Sequence, residues 1–133
     1  MLRFPSAEWA ETFQTALNAN PAYAKAAQAW EGDILLLVSP DSVAPNGTGV
    51  HLDLYHGTLR AATFVADAAA VKSEFVFEGS RPNWGRVFRR ELDPIKALLD
   101  GTFRIRGNLA KAMRFTQAAR ELVETAATIP ADV

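Results

Sequence analysis

Residues 92–113 read LDPIKALLDGTFRIRGNLAKAM, and the backbone signals in that stretch decide how the C-terminal part of the chain must fold. Asp93 is placed to cap a helix, since its carboxylate can accept from free backbone N–H groups. Pro94 then suits the first helical position, where a missing N–H costs nothing. Gly101 ends the helix PIKALLD, being the residue best able to take the left-handed conformation past a helix end. TFRIRG alternates next, with Phe103 and Ile105 inward and Arg104 and Arg106 outward, which predicts a strand with one buried face. Gly107 allows a sharp turn and Asn108 caps the closing helix. Helix, strand and helix must meet at fixed angles, so the segment reads as a frame and not as a reaction centre.

Working outward, the closing helix is predicted from about Leu109 to Ala127. Its apolar arc is broad: Leu109, Ala112, Met113, Phe115, Ala119, Leu122 and Val123, with Lys111, Arg114, Gln117, Glu121 and Glu124 on the remaining face. Upstream, Pro82 to about Leu92 carries an apolar stripe of Trp84, Val87 and Phe88 opposite Arg86, Arg89 and Arg90. The middle of the chain is strand-like. DILLLVSP is an apolar run stopped by Pro40, and GVHLDLYHG places Val50, Leu52 and Leu54 on one side and His51, Asp53 and Tyr55 on the other. His56-Gly57 turns the chain into TLRAATFVAD as a hairpin, and SEFVFEGS alternates Phe75 and Phe77 against Glu74, Val76 and Glu78. The segment from Ser39 to Gly49 is the longest irregular stretch and reads as a flexible loop. At the N-terminus, Ser6 caps a helix with Trp9, Ala10, Phe13, Ala16 and Leu17 on one face. A second helix starts at Pro21, runs to about Trp30 and is stopped by Gly32. Strands followed by helices in this order predict an α+β fold: a five-stranded, mostly antiparallel sheet with helices packed on one face.

With 133 residues, the chain suits a single domain spanning 1–133. Fourteen Lys and Arg against 15 Asp and Glu leave a formal charge of -1, which offers nothing to a nucleic acid or other polyanion. No cysteine is present, which removes disulfides, thiolate metal sites and thiol nucleophiles and fits a reducing compartment. MLRFPSAEWAETF lacks the apolar core of a secretory signal, and no apolar run approaches the length of a membrane span, so a cytoplasmic location is expected. The sequence also lacks a nucleophile elbow, a phosphate-binding loop, a dinucleotide fingerprint and His/carboxylate metal spacing. His51, Asp53 and Tyr55 share a strand face, but neighbours two apart on a strand stand about 7 Å from each other. They read as a solvated face or a contact between two copies of the chain, as in a homodimer. Neither catalysis, a metal nor a cofactor is called for.

The punctuation of residues 92–113 resembles the C-terminal signature of the sterol carrier protein 2 (SCP-2) family of lipid-binding domains. The matching residues are Leu92, Asp93, Pro94, Ala97, Gly101, Phe103, Arg104, Ile105, Gly107, Asn108, Ala112 and Met113. The resemblance implies a non-catalytic domain whose sheet and helices enclose an apolar tunnel for a fatty acid, acyl-CoA, sterol or other lipid. It implies a lining of Trp84, Phe88, Phe103, Ile105, Leu109, Met113 and Phe115, and transfer of lipid through transient contact with membranes. Arg86, Arg89 and Arg90 read as a solvated helix face, or more sharply as a docking patch for acidic headgroups. Arg120, inside the apolar arc, reads as a snorkelling side chain or as the partner of a ligand carboxylate. The chain ends in ADV, so the peroxisomal setting of eukaryotic members is not carried over. Two other functions compete. One is an accessory module for a lipid or quinone biosynthesis enzyme, docking through an apolar outer sheet face around Val76. The other is a small α+β enzyme with an apolar pocket, which needs a buried carboxylate or Tyr among the pocket residues.

Overall fold

The computed structural model describes residues 1–133, apart from the side chain of Pro94. A two-residue strand β1 (Leu2–Arg3) leads to Ser6, whose hydroxyl accepts from Trp9 N at 3.1 Å and opens α1 (Ala7–Asn18). The apolar face of α1 is buried as its spacing requires, with Trp9, Ala10, Phe13 and Leu17 all in the core. Asn20 caps α2 (Pro21–Ala26), its side-chain oxygen accepting from Ala22 N and Tyr23 N. This helix is shorter than its sequence suggests. Strand pairing takes over at Glu31, opposite Tyr55, so Gly32 is a strand residue paired with Leu54 and not a helix stop. Trp30 is drawn inward, its indole N–H donating to Gly32 O at 3.1 Å.

Five strands come next: β2 (Glu31–Val38), β3 (Thr48–Tyr55), β4 (Thr58–Val65), β5 (Phe75–Gly79) and β6 (Arg104–Arg106), in the spatial order β4-β3-β2-β5-β6. Every pair is antiparallel except β2 with β5. A parallel pair needs a crossover. Here the chain leaves β4, crosses the outer face through residues 66–74 and returns beside β2. That crossover covers part of the outer face, where Leu35, Leu37 and Val65 are buried against Ala68, Val71 and Val76. The loop from Ser39 is tied down: Asp41 accepts from the backbone N–H groups of Val43 and Ala44, and Arg81 pairs with the same carboxylate at 2.8 Å. Arg81, first among the causes, and the Ala44 N–H hold the Asp41 carboxyl below its usual range.

The helices α3 (Arg81–Phe88) and α4 (Pro94–Asp100) lie between β5 and β6 in the chain. They are capped by Ser80 and Asp93, and Gly101 closes α4 at φ 82°. The closing helix is two pieces, α5 (Leu109–Met113) and α6 (Thr116–Ala127). Between them the backbone bonds tighten by one residue, Arg114 N to Lys111 O and Phe115 N to Ala112 O, and Phe115 leaves helical geometry at ψ 34°. Its ring then meets Trp30 edge-on at 5.1 Å. Packing of one aromatic ring has overridden a continuous helical period. A last strand β7 (Ala131–Asp132) pairs in parallel with β1; two-residue strands are too short to show alternation in the sequence.

Candidate functional site

The inner sheet face divides into two neighbourhoods, each organised by a tryptophan. Around Trp84 the space is filled. Phe4, Phe77 and Phe103 approach its ring to between 4.8 and 5.7 Å, Phe88 lies 6.2 Å away, and the indole N–H donates to Leu37 O at 2.9 Å. All five rings are buried.

Around Trp30 the packing leaves an opening. Ile34, Leu54, Phe75 and Ile105 form its floor from β2, β3, β5 and β6. Tyr23 and Trp30 form one wall, and Ala112 of α5, Phe115 at the break, and Ala118, Ala119 and Leu122 of α6 form the other. The free space is about 50 Å³, well below the roughly 300–1,000 Å³ common for ligand clefts. Two of these side chains carry a polar group: the indole N–H of Trp30, bonded to Gly32 O, and the Tyr23 hydroxyl. Burial pushes the Tyr23 pKa up to about 12.

Over this pocket lies α5, held by little. None of its residues is buried, and Leu109 and Met113 are 54% and 76% exposed. Lys111 ties it down: Nζ donates to Glu31 O at 2.6 Å and to Glu74 Oε2 at 2.8 Å, 5.0 Å above the Trp30 ring. Beyond α5 lies an open groove along Leu98, Phe103, Ile105 and Leu109, with Ile105 bordering both spaces.

The residues expected to line a tunnel are thus divided. Ile105 and Phe115 face the pocket, Trp84, Phe88 and Phe103 belong to the filled neighbourhood, Leu109 borders the open groove and Met113 is exposed on α5. The arginines are scattered. Arg86 and Arg89 lie with Pro130 to Val133 near the chain ends, Arg89 paired to Glu91 at 2.7 Å. Arg90 and Arg120 face a cleft among Glu91, Asp93, Asp100 and Glu124, on the side of α6 away from the pocket. Of the pocket residues the sequence reading did not assign, Leu54 and Phe75 were legible as inward positions. Tyr23 and Trp30 join them only through the break between α5 and α6 and the early end of α2, and Lys111 stands over the Trp30 and Phe75 rings without lining the space itself.

On the outer face, His51 Nε2 lies 2.7 Å from Asp33 Oδ2, and Asp33 Oδ1 accepts from Glu74 N at 2.9 Å. Burial raises the Asp33 pKa, but the His51 and Glu74 hydrogen bonds outweigh it and hold the carboxyl below its usual value. The pair fastens β2 to β3 and to the end of the crossover. Asp53, in turn, is bonded to Arg60 at 3.0 Å, and the Arg60 guanidinium lies 4.5 Å over the Tyr55 ring. Among the described residues no cluster of three or more metal-binding side chains occurs, and no helix is long and apolar enough to cross a membrane.

The chain matches the SCP-2 sterol transfer family over residues 6–120. It is 36% identical to a crystal structure of sterol carrier protein 2, with a TM-score of 0.85 over 93% of this chain and 97% of that one. A conserved hypothetical protein of Thermus thermophilus, solved in solution, is 34% identical with a TM-score of 0.84, covering 100% of this chain and 93% of its own. A UbiJ-SCP2 ubiquinone synthesis protein shares the fold at a TM-score of 0.55 and 16% identity, over 98% of this chain and 100% of that one. No curated protein matches the chain.

Proposed function

The chain belongs to the SCP-2 sterol transfer family, and from that premise we propose that it is a non-catalytic lipid carrier, one domain over residues 1–133, that takes an acyl chain or similar apolar ligand between α5–α6 and the sheet. One observation carries the reading: an almost wholly apolar pocket stands next to an open groove, separated from it by a five-residue helix with no fully buried residue. A helix so poorly anchored is easily displaced, because local opening costs least where few apolar contacts are lost. Lifting α5 joins pocket and groove past Ile105, and the combined space suits a hydrocarbon tail.

The energetics fit a shuttle. Each buried CH₂ gains about 0.8 kcal/mol relative to water, and a bilayer offers nearly the same, so transfer from membrane to protein is close to neutral. Such a carrier lowers the cost of moving a lipid through water without trapping it. Leu109 and Met113, exposed on α5, place apolar side chains at the entrance, where a transient membrane contact would be made. An accessory role through the outer sheet face gains less support, since Leu35 and Leu37 there are covered by the protein's own crossover.

Two measurements test the proposal. Native mass spectrometry of protein purified from its own host should show a co-purifying lipid. A fluorescent fatty acid should bind in solution, and Ala119→Trp, which brings an indole to the pocket wall from an exposed position, should abolish that binding while far-UV circular dichroism still shows the fold. A folded Ala119→Trp protein that binds as tightly as the original rules the pocket out.

A further inference from the structure

We infer that Lys111 is the headgroup site of the pocket: its ammonium selects ligands that end in a carboxylate, which takes the place Glu74 occupies in the closed structure. The inference rests on the lipid-carrier reading and names the chemistry of the ligand's polar end.

Lys111 is the one cation poised over the pocket's rings among the described residues, 5.0 Å from the Trp30 centroid and 5.8 Å from that of Phe75. Its two acceptors differ. The Glu31 carbonyl belongs to strand β2 and cannot leave, whereas the Glu31 carboxylate is turned away to His56 at 2.7 Å. Glu74 Oε2, at 2.8 Å, sits on a side chain and can leave. The position of that oxygen marks where a ligand oxygen would stand, and it is already shaped for a carboxylate.

The space around the pair is built for it. A Cβ on Gly32 would fall 2.7 Å from Glu74 Oε1 and 3.4 Å from Lys111 Nζ, so an ordinary side chain there would push the carboxylate out. The exchange is also cheap. With side-chain exposures of 24% for Lys111 and 41% for Glu74, the pair is a surface ion pair worth little, and Glu74 is readily rehydrated when released. A ligand carboxylate whose tail passes the Trp30 ring gains the same charge-assisted bond together with the apolar burial behind it. Because Lys111 sits on α5, the group that holds the helix over the pocket is also the group that recognises the ligand's head.

The test compares dodecanoic acid with dodecan-1-ol, which share a tail and differ in charge, by fluorescence titration of the native tryptophans. The wild-type protein is expected to prefer the acid by about two- to fivefold, the value of one partly exposed ion pair. Lys111→Met, which keeps the apolar stem, should bring the ratio of the two affinities to about one, and Lys111→Arg should restore most of it. Glu74→Gln should raise the preference for the acid by removing its competitor. A preference that survives Lys111→Met, or that fails to rise in Glu74→Gln, overturns the assignment while leaving the lipid-carrier reading in place. If neither probe binds the wild-type protein, both readings fall together.

Discussion

The neighbourhoods of Trp84 and Trp30 use the same materials to opposite ends. Each sets an indole against phenylalanines, with its N–H bonded to a strand carbonyl. Around Trp84 four phenylalanine rings close in from α3, the inner sheet face, the segment before α1 and the turn into β6. Around Trp30 there are two, Phe75 and Phe115, and the helix that should supply more has broken and turned its Leu and Met outward. Whether an aromatic cluster is core or cavity is decided by how many neighbours arrive, which depends on tertiary geometry and not on residue type.

The largest test of this contrast is truncation at each centre. Trp84→Ala should lower stability by about 3–5 kcal/mol in urea unfolding, and Trp30→Ala by roughly half as much, because one side of its ring already lacks packed atoms. Equal losses would dissolve the distinction. The next effect is in pH. Tyr23 is raised to about 12 by burial, so between about pH 10 and 12 the unfolded chain has lost the phenol proton and the folded one has kept it. Unfolding then releases protons, and stability, constant below pH 10, should fall by up to about 3 kcal/mol as pH rises through that window. Tyr23→Phe should remove that contribution; an identical pH profile in the two proteins would show that the hydroxyl is better solvated than its burial implies.

Smaller effects sharpen the boundary between the two regions. A Cβ on Gly79 would lie 2.3 Å from the Phe103 ring, so Gly79→Ala should overpack the filled side and cost about 1–3 kcal/mol. Ala119→Leu, on the pocket side, has room to grow and should stay within about 0.5 kcal/mol of the wild type. Smallest of all is the pair Leu109→Ser and Met113→Ser. Both side chains already meet water, and thermal unfolding should shift stability by no more than about 0.5 kcal/mol. A large loss from either would mean that α5 packs its apolar side inward in solution.

Much of this frame was legible because it rests on local signals. The caps at Ser6, Asp93 and Asn108, the stop at Gly101 and the alternation of Val50, Leu52 and Leu54 each act over a few residues, and each stands where the sequence places it. The C-terminal signature carried the family for the same reason. The pocket was not legible in this way. A helical period drawn from Leu109 to Ala127 puts Met113 and Phe115 at opposite edges of one broad apolar arc, and in the structure, with the helix broken at Phe115, one is exposed and the other is a pocket wall. Lys111 looked like one more solvated charge on the polar side of that helix, and only the approach of Glu31, Glu74 and Trp30 from elsewhere in the chain gives it a role.

The single parallel pairing in the sheet also dictates an order of assembly. Strands β2, β3 and β4 can zip together through local hairpins as soon as they exist, but the other edge of β2 stays bare until Phe75–Gly79 has travelled around the outer face. A chain emerging from the ribosome therefore carries its most apolar strand half-paired for the time it takes to make the crossover, and that interval is when it is most exposed to pairing with the wrong neighbour.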